Sequence, residues 1–356
     1  MFILRLLNKF SLLCINFIIG CAGVYAQQDS TQTEDYSMFG DATEVKRYAT
    51  QKVLNLTPTR LISIGMEFQS NSVLPVTNTG NNTGNVYNLR PVIMPRLAAN
   101  FPVISNDKII VNLGGQYWGT PYSVQRKGVN LVEPGEGLPA PVGSLDANML
   151  HSAGILGSVF KPLNEKNFLI IQAGADINAA FPAGGSVSGK AITISASAIY
   201  GWKLSERNMW GLGASRTYRM GRVIHVPVLY WNKTFNDKWG IEMVLPARGF
   251  IRHNISTQNL LLLGFELEGN QYLLPQANQT AWGRQDLFLQ RGEIKPRLQW
   301  DRQLKNFIWL SVQAGARING RFNFTDRFNG KDDHVVYQTN LRTALFVNFS
   351  LNLVSP

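Results

Sequence analysis

Eight side chains in the C-terminal part of the chain have types and spacings that could act together. Arg291, Glu293, Lys295, Arg297 and Asp301 recur at every second or fourth position, followed by Arg317, Arg321 and Arg342. At a period of two they share one face of extended strands. Two kinds of chemistry fit. A ring of Arg and Lys around a pore attracts anionic solutes by its field. The same residues can form an ionic, hydrogen-bonded network that fills a barrel and fixes the register of its strands.

Catalytic groupings are missing. His151, His225, His253 and His334 are scattered, and no serine lies in a Gly-x-Ser-x-Gly elbow. His151 and Ser152 are adjacent, but consecutive strand residues face opposite sides. A lipid-modifying enzyme would need serine, histidine and a carboxylate together at one rim. Glycines such as Gly114, Gly115, Gly174, Gly211, Gly213 and Gly315 lie inside strand-like runs, where a phosphate loop with its following helix has no place. Asp326, Asp332 and Asp333 could take a divalent cation, such as one bridging lipopolysaccharide, but read more simply as a solvated loop. No enzyme activity, cofactor or metal site is expected.

The elements that must position the charges are strands. Alternation is clearest at 287–303, 307–321 and 339–353. These runs exceed the usual five or six residues of a soluble strand and reach the roughly 9–11 that a tilted strand needs to cross a bilayer. The strands read as 59–69, 89–101, 108–118, 148–161, 166–179, 190–203, 208–219, 222–234, 238–245, 247–254, 259–272, 287–303, 307–321 and 339–353. The expected fold is all-β, a transmembrane antiparallel up-and-down barrel of fourteen strands. If 238–254 is a single strand bent at Pro246, parity reduces the number to twelve.

The connections differ at the two ends. Short Asn-rich corners at 103–108, 163–168, 204–208, 235–239 and 303–307 have hairpin chemistry. Longer Gly/Pro/Asn-rich loops are expected at 70–88, 119–147, 180–189, 274–286 and 322–337, and the Met220-Gly221 connection is tight. Tight periplasmic turns opposite long external loops are the asymmetry of outer-membrane barrels. Trp118, Trp202, Trp210, Trp231, Trp239 and Trp309 fall near strand ends, as an aromatic girdle would.

Residues 1–26 read as a signal peptide. Arg5 and Lys9 precede an apolar run from Phe10 to Gly20, and Val24-Tyr25-Ala26 supplies a cleavage site before Gln27. The competing reading is a lipobox, Ile18-Ile19-Gly20-Cys21, with lipidation at Cys21. Cys14 and Cys21 both lie in this segment, so cleavage after Ala26 leaves no disulfide or cysteine-ligated metal. Residues 27–57 are polar and read as a periplasmic tail or small plug, with the barrel over 58–356.

Composition agrees with a barrel in a membrane. Charged residues are 16 % of the 356, and the formal charge is +11. An exported chain has little nucleic acid to meet, so the positive balance is read as facing the lumen or lipid headgroups. Expected partners are outer-membrane lipid, lipopolysaccharide and the outer-membrane insertion machinery, and no nucleic acid.

One stretch, Pro227-Val228-Leu229-Tyr230-Trp231-Asn232-Lys233-Thr234-Phe235-Asn236-Asp237-Lys238-Trp239-Gly240, resembles uncharacterised outer-membrane barrel families of unknown function. The likeness continues through Leu245-Pro246-Ala247-Arg248, Ile294-Lys295-Pro296-Arg297-Leu298 and the strand containing Gly315. It implies the fold and no activity. Such barrels often end on an aromatic residue; this chain ends Asn352-Leu353-Val354-Ser355-Pro356, with Phe349 and Leu353 as substitutes. The function expected is a passive pore or transporter for small, anionic solutes, or else a structural barrel with a filled lumen.

Overall fold

The computed structural model describes residues 49–355 apart from 52, 81, 126–137, 181–187 and 281–282. The signal peptide, the lipidation alternative and residues 27–48 lie outside the described residues.

Fourteen strands close into an antiparallel ring. In ring order they are β1 (Arg60–Gln69), β4 (Val92–Asn106), β5 (Ile109–Thr120), β7 (Leu150–Pro162), β8 (Asn167–Ala180), β9 (Ile192–Ser205) and β10 (Asn208–Thr217). Then come β11 (Ile224–Thr234), β12 (Trp239–Leu245), β13 (Arg248–Ser256), β14 (Asn259–Thr280), β15 (Gly283–Lys305), β16 (Ile308–Thr325) and β18 (Ala344–Val354). The ring closes where β18 pairs with β1, from Arg60↔Val354 to Gln69↔Phe346. All fourteen expected strands are present, and 238–254 is a hairpin with Pro246 in its turn.

The short turns gather at one end and explain the Asn-rich corners. The side-chain oxygens of Asn106, Asn164 and Asn236 each accept hydrogen bonds from the backbone N–H two and three residues on, at 2.8–3.0 Å. Ser205 and Ser256 do the same for Arg207 and Gln258. The side chain thus satisfies donors that the turn leaves free.

Outward positions form an apolar belt. Ile64, Leu97, Ile155, Leu212, Leu263 and Leu345 are all exposed, Ile155 by 72 % and Leu345 by 65 %. In water such a surface would be costly. In a bilayer it is the surface that is needed, because a closed barrel also leaves no strand edge unpaired. Trp202 and Trp210 stack outside the barrel near the turn end at 4.6 Å, and Trp231 pairs directly with Trp210. Two expected girdle members face inward instead. Trp118 lies under the Arg96 guanidinium, and Trp309 is buried with Phe250, Leu260 and Leu262. Strand-end position alone does not decide which face a side chain takes.

The long loops fold into a second layer. A hairpin, β2 (Ser72–Asn78) with β3 (Thr83–Leu89), pairs on one side with β17 (Val335–Thr339) and on the other with β6 (Val124–Gln125). The helix α1 (Ala140–Ala147) buries Val142 and Leu145 in the same core as Leu74, Tyr87, Leu287, Leu289, Phe322 and Phe324.

The expected loop at 274–286 is instead the upper part of the β14–β15 hairpin, paired out to Thr280↔Gly283. Likewise β16 continues to Thr325 through what was expected to be loop. The upper hairpin also leaves the wall. Its last bond to the neighbouring hairpin is Leu267 N–H to Ala247 O at 2.8 Å. Above that point β14 has no partner from β13 and crosses to β8, where Leu273 pairs with Ala179. Gly269 and Gly292 face each other at the departure point. A Cβ on Gly292 would lie 2.7 Å from the Met220 backbone, so glycine allows the β10–β11 turn to pack there. Gly221, in that turn, has φ +77°.

Candidate functional site

The lumen holds a charge network built from five strands. Glu67 comes from β1, Arg96 from β4, Glu268 from β14, Arg291, Glu293 and Lys295 from β15, and Arg317 from β16. Arg317 is at the centre: its Nη1 lies 2.7 Å from Glu67 Oε1, its Nη2 3.2 Å from Glu268 and its Nε 3.1 Å from Glu293. Lys295 Nζ donates to Glu67 at 2.7 Å and to Glu268 at 3.1 Å. Arg96 bridges Glu67 and Glu268 at 3.1 and 2.9 Å, and Arg291 meets Glu293 at 3.0 Å. Arg317, Lys295 and Glu67 are buried almost completely. A buried charge requires a partner, and here each has at least one.

Of the eight residues singled out in the sequence, Arg291, Glu293, Lys295 and Arg317 meet in this network. Arg297 pairs with Glu266 at 2.7 Å and Asp301 with Arg60 at 3.0 Å, as separate bridges. Arg321 does not join them. Gly292 pairs with Arg321 but Glu293 with Asn319, which makes Gly320 an extra residue, and this bulge reverses the alternation beyond it. Phe322 and Phe324 therefore turn into the core of the second layer, the cap over the loop end, while Arg321 bonds Gln290 at 3.0 Å. Arg342 is exposed and precedes β18; only its backbone is used, bonded to Val73 and Ser72.

The sequence reading missed Glu67, Arg96 and Glu268. A signal was present for Glu67, which with Gln69 alternates against Met66 and Phe68 in the first strand. Their inclusion changes the electrostatics: four cations face three carboxylates in close contact, so the lumen does not carry a bare ring of positive charge.

The opposite half of the lumen is open. Inward positions of β7 to β10 include Leu156, Gln172, Gly174, Ser195, Ser197, Gly213 and Ser215. Leu156 is 40 % exposed although it faces inward, and Gln172 is exposed as well. Small side chains on this wall leave space that water reaches, opposite the packed charges.

Both ends are crossed by chain. At the turn end residues 49–51 and 53–57 run as a strap. Ala49 N–H bonds Asn164 O and Leu54 N–H bonds Glu206 O, both at 2.9 Å. Lys203 donates to Thr50, Thr234 donates to Leu54 O, and Thr57 donates to Glu242 at 2.7 Å. Val53 is buried among Phe160, Phe168, Met209 and Val228. At the loop end the upper β14–β15 hairpin crosses the mouth, with Asn270 donating to Asn178 at 2.8 Å. Among the described residues no cluster suited to a metal ion is found. His151 bonds the Tyr117 hydroxyl at 2.9 Å while Ser152 donates to Asn178 at 2.6 Å, so the adjacent pair is divided between two faces.

A closed antiparallel barrel with an apolar belt, a polar interior, tight turns at one end and long loops at the other defines a fourteen-stranded transmembrane barrel of the outer-membrane type. Residues 144–353 match the model of a family described as Domain of unknown function (DUF6268), and the chain belongs to that family. No curated protein matches the chain. Solved structures similar to it include an outer membrane channel from Pseudomonas putida F1, with TM-score 0.40, 10 % identity, and coverage of 88 % of this chain and 99 % of that one. A Pseudomonas aeruginosa FadL homologue has TM-score 0.37 and 12 % identity, with 83 % of this chain and 89 % of that one covered. The P. putida toluene transporter TodX has TM-score 0.34 and 9 % identity, with 84 % and 92 % covered.

Proposed function

We propose that the barrel is a passive channel for small solutes, held here in an occluded form. The observation that carries this reading is the water-reached inner wall of β7 to β10, where Leu156 and Gln172 face inward yet remain exposed. A barrel packed solely for strength would bury them. The strap at the turn end and the hairpin at the loop end then act as its two closures. Discrimination between anions and cations is weak, because the network's cations are answered by carboxylates at 2.7–3.2 Å.

Planar-bilayer recording of the refolded protein tests the proposal. Wild type is expected to show small or infrequent conductance steps, and a chain lacking residues 27–57 larger ones. A folded strap-deleted protein that never conducts would overturn it. That result would favour the second reading, a structural barrel, which the packed charge network and the ordered cap support.

A further inference from the structure

The β10–β11 hairpin carries cations that no carboxylate answers. Arg216 and His225 stand directly opposite each other across the two strands, and both are exposed. They lie on the outer face: Leu212, on the same side of β10, is 51 % exposed, whereas Met209, on the other side, is buried in the lumen. Arg222 lies in the turn of the same hairpin. The Arg216 guanidinium lies over the Tyr218 ring, 5.9 Å from its centroid, and donates to its hydroxyl at 3.2 Å. Among the described residues none of these three side chains makes an ion pair.

Two costs follow from this placement. Basic groups directly opposite on one face repel when both are charged. A cation at the edge of the hydrocarbon must reach an anionic headgroup or water. A phosphate relieves both, since the guanidinium fork grips it with two hydrogen bonds. The hairpin tip is at the long-loop end, which in such barrels faces outward. We infer that Arg216, His225 and Arg222 hold a phosphate of the lipid A part of lipopolysaccharide. This rests on the outer-membrane fold and not on the channel reading, so a barrel that conducts nothing leaves it intact.

The test uses the full protein in detergent micelles. Binding is measured for diphosphoryl lipid A, for the same lipid with its phosphates removed, and for phosphatidylglycerol. Wild type is expected to bind the diphosphoryl form about tenfold more tightly than either other lipid. An R216A/H225A protein, shown to be folded by its heat-modifiable gel mobility, is expected to lose that preference while binding the dephosphorylated lipid as wild type does. Equal binding of all three lipids by wild type, or phosphatidylglycerol binding as tightly as diphosphoryl lipid A, would overturn the assignment. So would an unchanged preference in the folded variant. The wild-type comparison stands alone should the variant fail to fold.

Discussion

Arg317 of β16 meets Glu67 of β1 at 2.7 Å across a sequence separation of 250 residues, and neither side chain is reached by more than a trace of solvent. The contact spans the seam, since β18 alone separates the two strands on the ring. It links the beginning of the barrel to its end.

Arg317→Ala is expected to destabilise the barrel by about 1–3 kcal/mol, because Glu67, Glu268 and Glu293 lose the buried guanidinium they share while Lys295, Arg96 and Arg291 remain beside them. Arg342→Ala, in an exposed connection, is expected to change stability by less than about 0.5 kcal/mol. Urea unfolding in micelles, followed by tryptophan fluorescence, distinguishes the two. Equal effects would mean that the network contributes no more than the surface does.

Glu268→Gln removes one of three carboxylates from the network while keeping its shape. If the strap-deleted barrel conducts, its reversal potential under a salt gradient is expected near zero, and the Gln variant is expected to shift it toward anion preference. A shift toward cation preference would contradict the assigned balance.

Val53→Asp places a charge among Phe160, Phe168 and Met209, where no partner waits. The strap is expected to leave the turn end. Conductance should rise toward that of the deleted chain, and limited proteolysis should cut within residues 49–57 sooner than in wild type. An intact strap with wild-type conductance would show that the segment is not a closure.

Gly292→Val drives a side chain into the Met220 backbone, which a Cβ would already meet at 2.7 Å. Overpacking of this kind costs about 1–3 kcal/mol. Detachment of the β10–β11 tip is expected, read as faster cleavage at Arg219 or Arg222 by trypsin. Unchanged cleavage would place the tip's anchorage elsewhere, for instance in Val223 N–H bonded to Asn329 at 2.9 Å.

The strands were legible because alternation leaves a period of two wherever lipid lies on one side and the lumen on the other. Inward positions could be read the same way as far as Arg317. The single extra residue Gly320 then ended the rule, and Arg321 went to the wrong face. The partners Glu67, Arg96 and Glu268 escaped because ring register decides which strand meets which, and one sequence does not carry it. The upper β14–β15 hairpin escaped for a different reason. Residues 274–286 carry Pro275, three Gln, Asn278 and Gly283, which reads as a loop, yet backbone pairing between two long strands needs no apolar pattern to persist. The strap was legible only as a polar segment; its anchor points lie in turns and strands up to 199 positions away, the Asn254 bond to Asn55 O being the longest.

The arrangement of the charge network bears on how the cylinder closes. Arg317 finds Glu67 only when the first strand docks against the last, so a barrel still open at that seam exposes mismatched ions to the lipid edge. Closure of the ring and pairing of the ions are thereby coupled: the β18–β1 ladder and the Arg317–Glu67 contact complete the same seam, one through backbone and the other through charge.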